Sequence, residues 1–446
     1  MFGSAALFVK DAPGDDLVVR SARVIDPGEG IDGPLDVRVD AGVVTEIGLN
    51  VSPNGHRVVE GRGLVLAPAF VDPHVHLRTP GREDEETIAT GTAAAAAGGY
   101  CAILGMPNTD PVVDSAAVLG SLIEAAREEA EVQVGFFAAI TKGQEGQELT
   151  EMAELAEAGA AGFSDDGRPV VSPGVMRRAL QYHGITGRRI AVHCEELTLS
   201  GAGQMHEGEV SAELGFAGYP SVGESAMVTR DLALASYERQ PIHLLHLSAR
   251  ESVEELRRWR AAGVMATAEA TPHHLVLTDE AIRSLDANLK MSPPLRSAAD
   301  RAALVEAVRD GTIEVIATDH APHAAHEKDV PFEEAPFGVT GLETAFAALN
   351  THLVEHGLLS LPTLLERMSA GPARAFGLER PRIAVGAPAN LVLLDTQATW
   401  RVGEGGFHSR SGNSWLLGET VKGAVRLTVV AGRIAYTSRR LDGGSQ

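Results

Sequence analysis

Asp72, His74, His76 and Arg78 alternate along the run Phe70-Val-Asp-Pro-His-Val-His-Leu-Arg78. The apolar run before it, Gly63 to Val71, is bounded by glycine and predicts a buried strand. Side chains alternate on a strand, so His74 and His76 point the same way. Two imidazoles on one side of a strand end form half of a metal site. Arg78 follows on that side if the strand geometry persists, which sets a fork suited to a carboxylate beside the metal. Two histidines in a solvated turn would read the same in isolation. The rest of the chain argues against that reading.

Further candidate ligands recur at the ends of apolar runs. They are Phe163-Ser-Asp165-Asp166-Gly167, Val192-His193-Cys-Glu195, Leu245-His246-Leu-Ser248 and Ala317-Thr-Asp319-His320-Ala-Pro-His323. Each alone is weak, but so many strand ends supplying His or Asp is hard to obtain by chance. Four histidines and two aspartates suit two borderline divalent ions, zinc being the best fit. A single ion needs only three or four ligands. The surplus points to a pair about 3.5–4 Å apart, bridged by hydroxide and a carboxylate. That equipment hydrolyses an unactivated amide.

The elements that must position these groups alternate through the middle of the chain. Apolar strand candidates lie near 65–74, 100–107, 132–140, 160–164, 189–194, 242–247, 264–270 and 314–318. Helical stretches such as Asp114–Ala130, Leu149–Ala158, Gly174–His183, Glu224–Tyr237 and Ser252–Ala262 separate most of them. Eight strands with intervening helices predict an α/β fold, a (β/α)8 TIM-like barrel whose active residues sit at the C-terminal strand ends. A doubly wound open sheet is the alternative. No glycine-rich dinucleotide motif or P-loop follows any strand, which disfavours a nucleotide cofactor.

The two ends share another texture. Leu17–Ile25, Leu35–Val39, Asn390–Asp395 and Arg426–Ala435 alternate and are β-branched, with glycine and proline between them. They predict a small β-sandwich built from both termini, residues 15–66 plus 380–440. The barrel then spans 67–379, and residues 1–14 form an N-terminal extension, read as disordered.

Composition narrows the function. The chain has 446 residues and a formal net charge of −22, with a pI near 5.1, which argues against nucleic acid and anionic membranes as partners. Any anionic substrate must be bound by local positive charge, which makes Arg78 more notable. The two cysteines, Cys101 and Cys194, lie in apolar runs and give no disulfide framework, so a reducing cytoplasm is expected. No apolar run is long enough to span a membrane. Met1 to Gly14 lacks a signal-peptide pattern.

The motifs together resemble the dihydroorotase family of the cyclic amidohydrolase superfamily, from about residue 17 to 437. They are Asp72-Pro-His-Val-His-Leu-Arg78, Met106-Pro-Asn-Thr109, Phe163-Ser-Asp-Asp-Gly167, His193-Cys-Glu195, Leu245-His-Leu-Ser248, Ser292-Pro-Pro-Leu-Arg296, Ala317-Thr-Asp-His-Ala-Pro-His323 and Pro336-Phe-Gly338. The resemblance implies two zinc ions per subunit. One would sit on His74, His76, Asp166 and Asp319, the other on His193, His246 and Asp166, with Asp166 bridging. It also implies a metal-bridging hydroxide as nucleophile and Asp319 as the acid/base. The substrate carboxylate would meet Arg78, Asn108 and His323. His76, Ser292 and the backbone around Phe337 and Gly338 would complete the substrate site. The implied reaction is the reversible hydrolysis of (S)-dihydroorotate to N-carbamoyl-L-aspartate in de novo pyrimidine biosynthesis.

Relatives of this superfamily often bridge their metals with a carboxylated lysine. Between Lys10 and Lys290 the only lysine is Lys142. The bridge is therefore Asp166 or an unusually placed Lys142, and the match favours the aspartate-bridged bacterial branch. Alternation turns only one of Asp165 and Asp166 inward. Ser292 departs from the asparagine usual in that branch; its hydroxyl still donates but reaches less far. Two competing functions are a dihydropyrimidinase- or hydantoinase-like amidase and a non-catalytic scaffold for aspartate carbamoyltransferase, the latter disfavoured by the complete ligand set. A homo-oligomer is expected, with aspartate carbamoyltransferase as a candidate partner.

Other features take plainer readings. Cys194 points away from the site as a buried structural thiol. His273 and His274 mark a loop or polar strand end. Residues 324–336 form a mobile loop with solvated charges, His326, Glu327, Lys328 and Asp329 among them. Glu85 and Glu86 favour a helix dipole from its first turn.

Overall fold

The β-branched segments of the two termini pair into one continuous eight-stranded sheet. The computed structural model describes residues 5–442, without the side chains of Arg440 and Asp442. Leu17–Asp26 pairs antiparallel with Ile31–Asp40 and parallel with Arg57–Glu60 and Val65–Pro68. Val65–Pro68 hands the sheet to the C-terminal strands Leu391–Arg401, Thr420–Val430 and Arg433–Thr437. Alternate residues, among them Val19, Val24, Val37, Leu66, Leu391 and Leu427, close a core of their own.

The second sheet is parallel throughout. Its strands are β1 (Phe70–Val75), β2 (Tyr100–Gly105), β3 (Gln133–Ala138), β4 (Gly162–Phe163), β5 (Arg189–Val192), β6 (Ile242–Leu244), β7 (Ala266–Ala270) and β8 (Val315–Ile316). They neighbour one another in chain order. A parallel bridge between Val75 and His320, with the His76 amide donating to the His320 carbonyl at 2.9 Å, brings the last strand back to the first. This sequential, nearly closed order is a barrel and rules out the doubly wound sheet. The strands are buried on both faces, so they read as continuous apolar runs. Helix α1 (Ile88–Ala97) is capped by Thr87 and presses Ala94, Ala95 and Ala96 into the core. The five expected helices form within a few residues of their predicted limits, at Ala116–Glu129, Met152–Ala158, Pro173–Thr186, Val222–Glu238 and Arg250–Ala261.

Four local expectations are corrected. The run 65–74 is not one strand. It breaks at Ala69, whose amide donates to the Asn390 carbonyl at 3.0 Å, so Val65–Pro68 belongs to the terminal sheet and Phe70–Val75 to the barrel. Arg426–Ala435 likewise divides, at a turn through Ala431 and Gly432, both at positive φ. Residues 5–10 are packed rather than loose, while 11–14 are exposed and residues 1–4 lie outside the described chain. Phe8 exchanges backbone hydrogen bonds with Val134 at 2.7–2.8 Å, and Lys10 pairs with Glu131. Segment 324–336 leaves His326 and Asp329 exposed as expected, but not all of its charges are solvated. Phe332 is buried, and Lys328 is buried with its ammonium donating to the Ala287 and Pro336 carbonyls at 3.1 and 2.7 Å.

Candidate active site

Strands β4, β6 and β8 stop short of their predicted ends, and the residues beyond them bend into the barrel mouth. His246 and Asp319 take positive φ values of 28° and 49° there. Non-glycine residues in that region mark local strain, which clusters at functional sites. The bends bring together the six side chains of the predicted constellation.

Asp166 lies at the centre. Its Oδ2 is 3.5 Å from both His74 Nε2 and His76 Nε2. Its Oδ1 is 3.4 Å from His246 Nε2 and 3.7 Å from His193 Nδ1. Asp319 Oδ1 is 3.1 Å from His76 Nε2 and 3.5 Å from His74 Nε2. One carboxylate thus turns an oxygen to each of two donor groups. Ligands about 2.0–2.1 Å from a shared tetrahedral centre stand roughly 3.3 Å apart, and these separations match. Two of the inward atoms, His74 Nε2 and Asp166 Oδ1, are buried with no hydrogen-bond partner. Buried polar atoms without partners are costly, and a cation would satisfy both. The donor set therefore fits divalent metal.

Asp165 does different work. It accepts from the Ile140 and Thr141 amides at 2.7 and 3.1 Å and from the Thr141 hydroxyl. Burial pushes its carboxyl up to about 6. Alternation does turn only one aspartate inward. The neighbour ties the end of β4 to the end of β3 and so aims Asp166. Lys142 lies at the surface, paired with Glu148 at 2.5 Å and away from the cluster, so it is no bridge.

The outer partners include a residue that the sequence reading passed over. Glu269, at the end of β7, places Oε1 2.6 Å from His74 Nδ1 and Oε2 3.0 Å from His243 Nε2. It is fully buried, which opposes ionisation, yet His74 and His243 hold its carboxyl down at about 2. A carboxylate on the far nitrogen fixes the tautomer and ring plane of a metal-binding histidine. Its strand-end position was the available signal, obscured by the expectation that ligands are His or Asp. Asp72 accepts from the Thr318 amide and hydroxyl at 3.2 and 2.5 Å, stitching β8 to β1 below the site. Glu195 Oε2 meets His193 Nε2 at 3.0 Å.

A cavity of about 400 Å³ opens over the cluster. Arg78, Asn108, Ser292, His323, Phe337 and Gly338 line it together with His76, Asp166, His193, His246 and Asp319. Arg78 does not arrive by strand alternation. The strand ends at Val75, and Arg78 swings in through a turn at φ 60°. Its Nε donates to the Pro322 carbonyl at 3.1 Å, and Nη2 lies 3.5 Å from His323 Nε2. The Asn108 amide oxygen sits 2.8 Å from His76 Nδ1, so Asn108 can offer a ligand only its NH2 group. Burial, then the Arg78 charge, keep His323 neutral, down at about 3.

Two paired motifs need correction. Glu85 and Glu86 precede the N-cap Thr87 rather than joining the first turn of α1, and both are fully buried. Glu86 accepts from the Ser409 hydroxyl and Arg410 amide at 2.5 and 3.1 Å and lies 3.1 Å from His320 Nε2. Glu85 meets Arg78 and Arg82. His273 and His274 open a short helix, Pro272–Val276, rather than a loop, and are buried, His274 bonding the Pro293 carbonyl at 2.9 Å. Cys194 is a buried thiol pushed well up by burial, as expected.

Comparison with known proteins gives a consistent neighbourhood. Residues 63–252 match the family model described as dihydro-orotase-like. A protein of Geobacter metallireducens named dihydroorotase is 45% identical over 422 residues, covering 94% of this chain and 99% of that protein. One of Trichlorobacter lovleyi with the same name is 44% identical over 425 residues, covering 95% and 100%. Among solved structures, an L-hydantoinase (dihydropyrimidinase) of Arthrobacter aurescens superposes with a TM-score of 0.84 at 25% identity, over 95% of this chain and 96% of that one. A dihydropyrimidinase of Brevibacillus agri gives 0.82 at 22% identity over 95% of each chain, a likeness of fold.

Proposed function

Starting from the chain's membership of the dihydroorotase family, shown by relatives about 45% identical along nearly its whole length, we propose that it hydrolyses (S)-dihydroorotate reversibly to N-carbamoyl-L-aspartate with two zinc ions per subunit. The observation that carries the reading is the placement of Arg78 in the wall of the cavity whose floor is formed by His76, His193, His246, Asp166 and Asp319.

His74, His76, Asp166 and Asp319 would hold one ion, and Asp166, His193 and His246 the other. When bound, such a pair makes a water acidic enough to ionise near neutral pH and polarises the amide carbonyl. Asp319 is the acid/base. Burial opposes its charge, but His74, His76 and His246 hold its carboxyl below the usual range. It is therefore ionised and ready to take a proton at neutral pH, then to pass it to the departing ring nitrogen. Arg78 and the Asn108 NH2 group hold the substrate carboxylate, with His323 beside them. Ser292 and the backbone at Phe337 and Gly338 orient the ring.

The hydantoinase-like reading is favoured only by the structural neighbours. Hydantoin and dihydrouracil carry no carboxylate for Arg78. The barrel, residues 67–379, is the proposed catalytic domain. No described helix is long and apolar enough to cross a membrane. A cytoplasmic homo-oligomer, with aspartate carbamoyltransferase as a candidate partner, completes the proposal. Metal stoichiometry with anomalous scattering, beside assays of ring opening and closure, tests the reading. Two zinc ions and turnover of dihydroorotate are expected. Turnover of hydantoin or dihydrouracil without dihydroorotate would overturn the substrate, and metal-free active protein would overturn the mechanism.

A further inference from the structure

Behind Arg78, outside the cavity lining, lies a buried carboxylate that the reaction does not use. Glu85 Oε2 is 3.0 Å from Arg78 Nε, and Glu85 Oε1 pairs with Arg82. Arg82 Nη2 also reaches Glu327 Oε1 at 3.0 Å. His323 Nδ1 completes the group, 3.9 Å from Glu85 and 3.6 Å from Glu327. The acceptor atoms of Glu85, His323 and Glu327 gather within 4.8 Å. Two guanidinium groups already face them, so this is not a cation site.

Where the protons go follows from the hydrogen bonds. His323 Nε2 lies 2.9 Å from the Phe337 carbonyl, which can only accept, so that nitrogen carries the hydrogen. Nδ1 then presents a lone pair, buried and without a partner, to two carboxyl groups. A lone pair facing two ionised carboxylates is unfavourable. One proton between the carboxyls relieves it.

We propose that Glu85 is a positioning residue: it sets its charge behind the Arg78 guanidinium, whose Nε hydrogen goes to the Pro322 carbonyl, leaves the terminal nitrogens to the substrate carboxylate, and shares one proton with Glu327, so that affinity for a carboxylate-bearing ligand falls as pH rises through neutrality. The proposal rests on the reading that Arg78 receives that carboxylate. While the pair holds its proton, Arg78 and Arg82 outweigh it and attract an anion. Once both carboxyls ionise, they compete with the ligand for the same guanidinium. Burial is the leading cause pushing Glu85 up to about 7, and Glu327 adds to it against Arg78 and Arg82. His323 stays neutral over that range. Lys328, pushed down to about 7 chiefly by burial, donates to carbonyls rather than to Glu85, and its share of any pH dependence survives a change at Glu85.

The test is direct binding of orotate, a planar pyrimidine with the same carboxylate, to the metal-loaded protein by calorimetry at pH 6, 7 and 8. A single linked proton predicts that Kd rises about tenfold from pH 6 to 8. Glu85→Gln keeps the shape behind Arg78 but loses the charge, so binding should stay tight with a rise at least threefold smaller. Glu327→Gln lets Glu85 ionise earlier, so binding should be weak already at pH 6 and nearly flat. An unchanged pH slope in Glu85→Gln, with Arg78→Ala still abolishing binding, would overturn this proposal alone. Orotate binding that ignores Arg78→Ala would overturn the reading of Arg78 and this proposal with it.

Discussion

Glu269 Oε1 lies 2.6 Å from His74 Nδ1, although 195 residues separate them. The contact joins β7 to β1 and holds the first histidine of the cluster by its outer nitrogen. Replacing Glu269 with Gln keeps the shape and removes the charge that supports a metal-binding imidazole. Metal affinity is expected to fall about 10–100-fold. Competition with a chelator of known affinity measures it, and unchanged affinity would remove Glu269 from the metal's support.

Adjacent aspartates should fail differently. Asp166→Ala is expected to lose most bound metal while the protein stays folded. Asp165→Ala leaves the buried Ile140 and Thr141 amides without an acceptor, at about 1–3 kcal/mol each. It should lower the melting temperature by several degrees and keep metal in the purified protein. A reversal of these two outcomes would exchange their roles.

Arg78 should separate substrates. Arg78→Ala is expected to raise KM for dihydroorotate about 10–100-fold, the worth of a hydrogen bond to a charged group. It should leave any slow turnover of dihydrouracil nearly untouched. Arg78→Lys should recover only part of the loss, because an ammonium cannot make the two-pronged contact. Equal losses on both substrates would remove Arg78 from carboxylate recognition.

The pH profiles of the two directions should diverge. Asp319 is held below its usual range, so it is ionised at and above neutral pH and protonates only in acid. Hydrolysis needs the ionised form and should fade as pH falls. In ring closure the attacking nitrogen gives up its proton, the departing carboxylate oxygen gains one, and a net proton is taken up as water leaves, so closure should gain on the acid side. Steady-state rates in both directions from pH 5 to 9 test this, and parallel profiles would count against Asp319 as the proton carrier.

The thiols should be inert. Burial pushes Cys101 up to about 12 and Cys194 well above its ordinary value. At pH 8 each should react with a disulfide reagent on the order of a thousandfold more slowly than a free thiol, then at the normal rate after denaturation. Rapid labelling of the native protein would show that these strands open.

Much of the site was legible because its signals are local. His74, His76, His193, His246 and Asp319 each follow an apolar run, and strand ends of a parallel barrel share one face. Period-two alternation was less reliable than position. It set His74 and His76 on one side, and Arg78 does reach that side, but by another route: its backbone leaves the strand at Val75 and turns through positive φ. Charge pattern misled at Glu85 and Glu86, which look like a helix start but fall just before the cap, where burial and arginine partners decide their work. Lys328 looked solvated and is buried, because its partners are carbonyls 8 and 41 residues away.

The sequence alone carried the barrel, the terminal sheet and the residue types at the strand ends. These follow from hydrophobic period, turn residues and composition, which act over a few residues at a time. Alternation left Asp165 and Asp166 open and the resemblance chose Asp166, which faces the histidines; that Glu269 supports His74 and that Glu85 stands behind Arg78 came from the tertiary structure alone. Each depends on closing the barrel, which brings β7 and β8 against β1 and sets distant charges within hydrogen-bond reach in a dry interior. There a distance of 3 Å determines what a carboxylate does, and separation along the chain does not encode it.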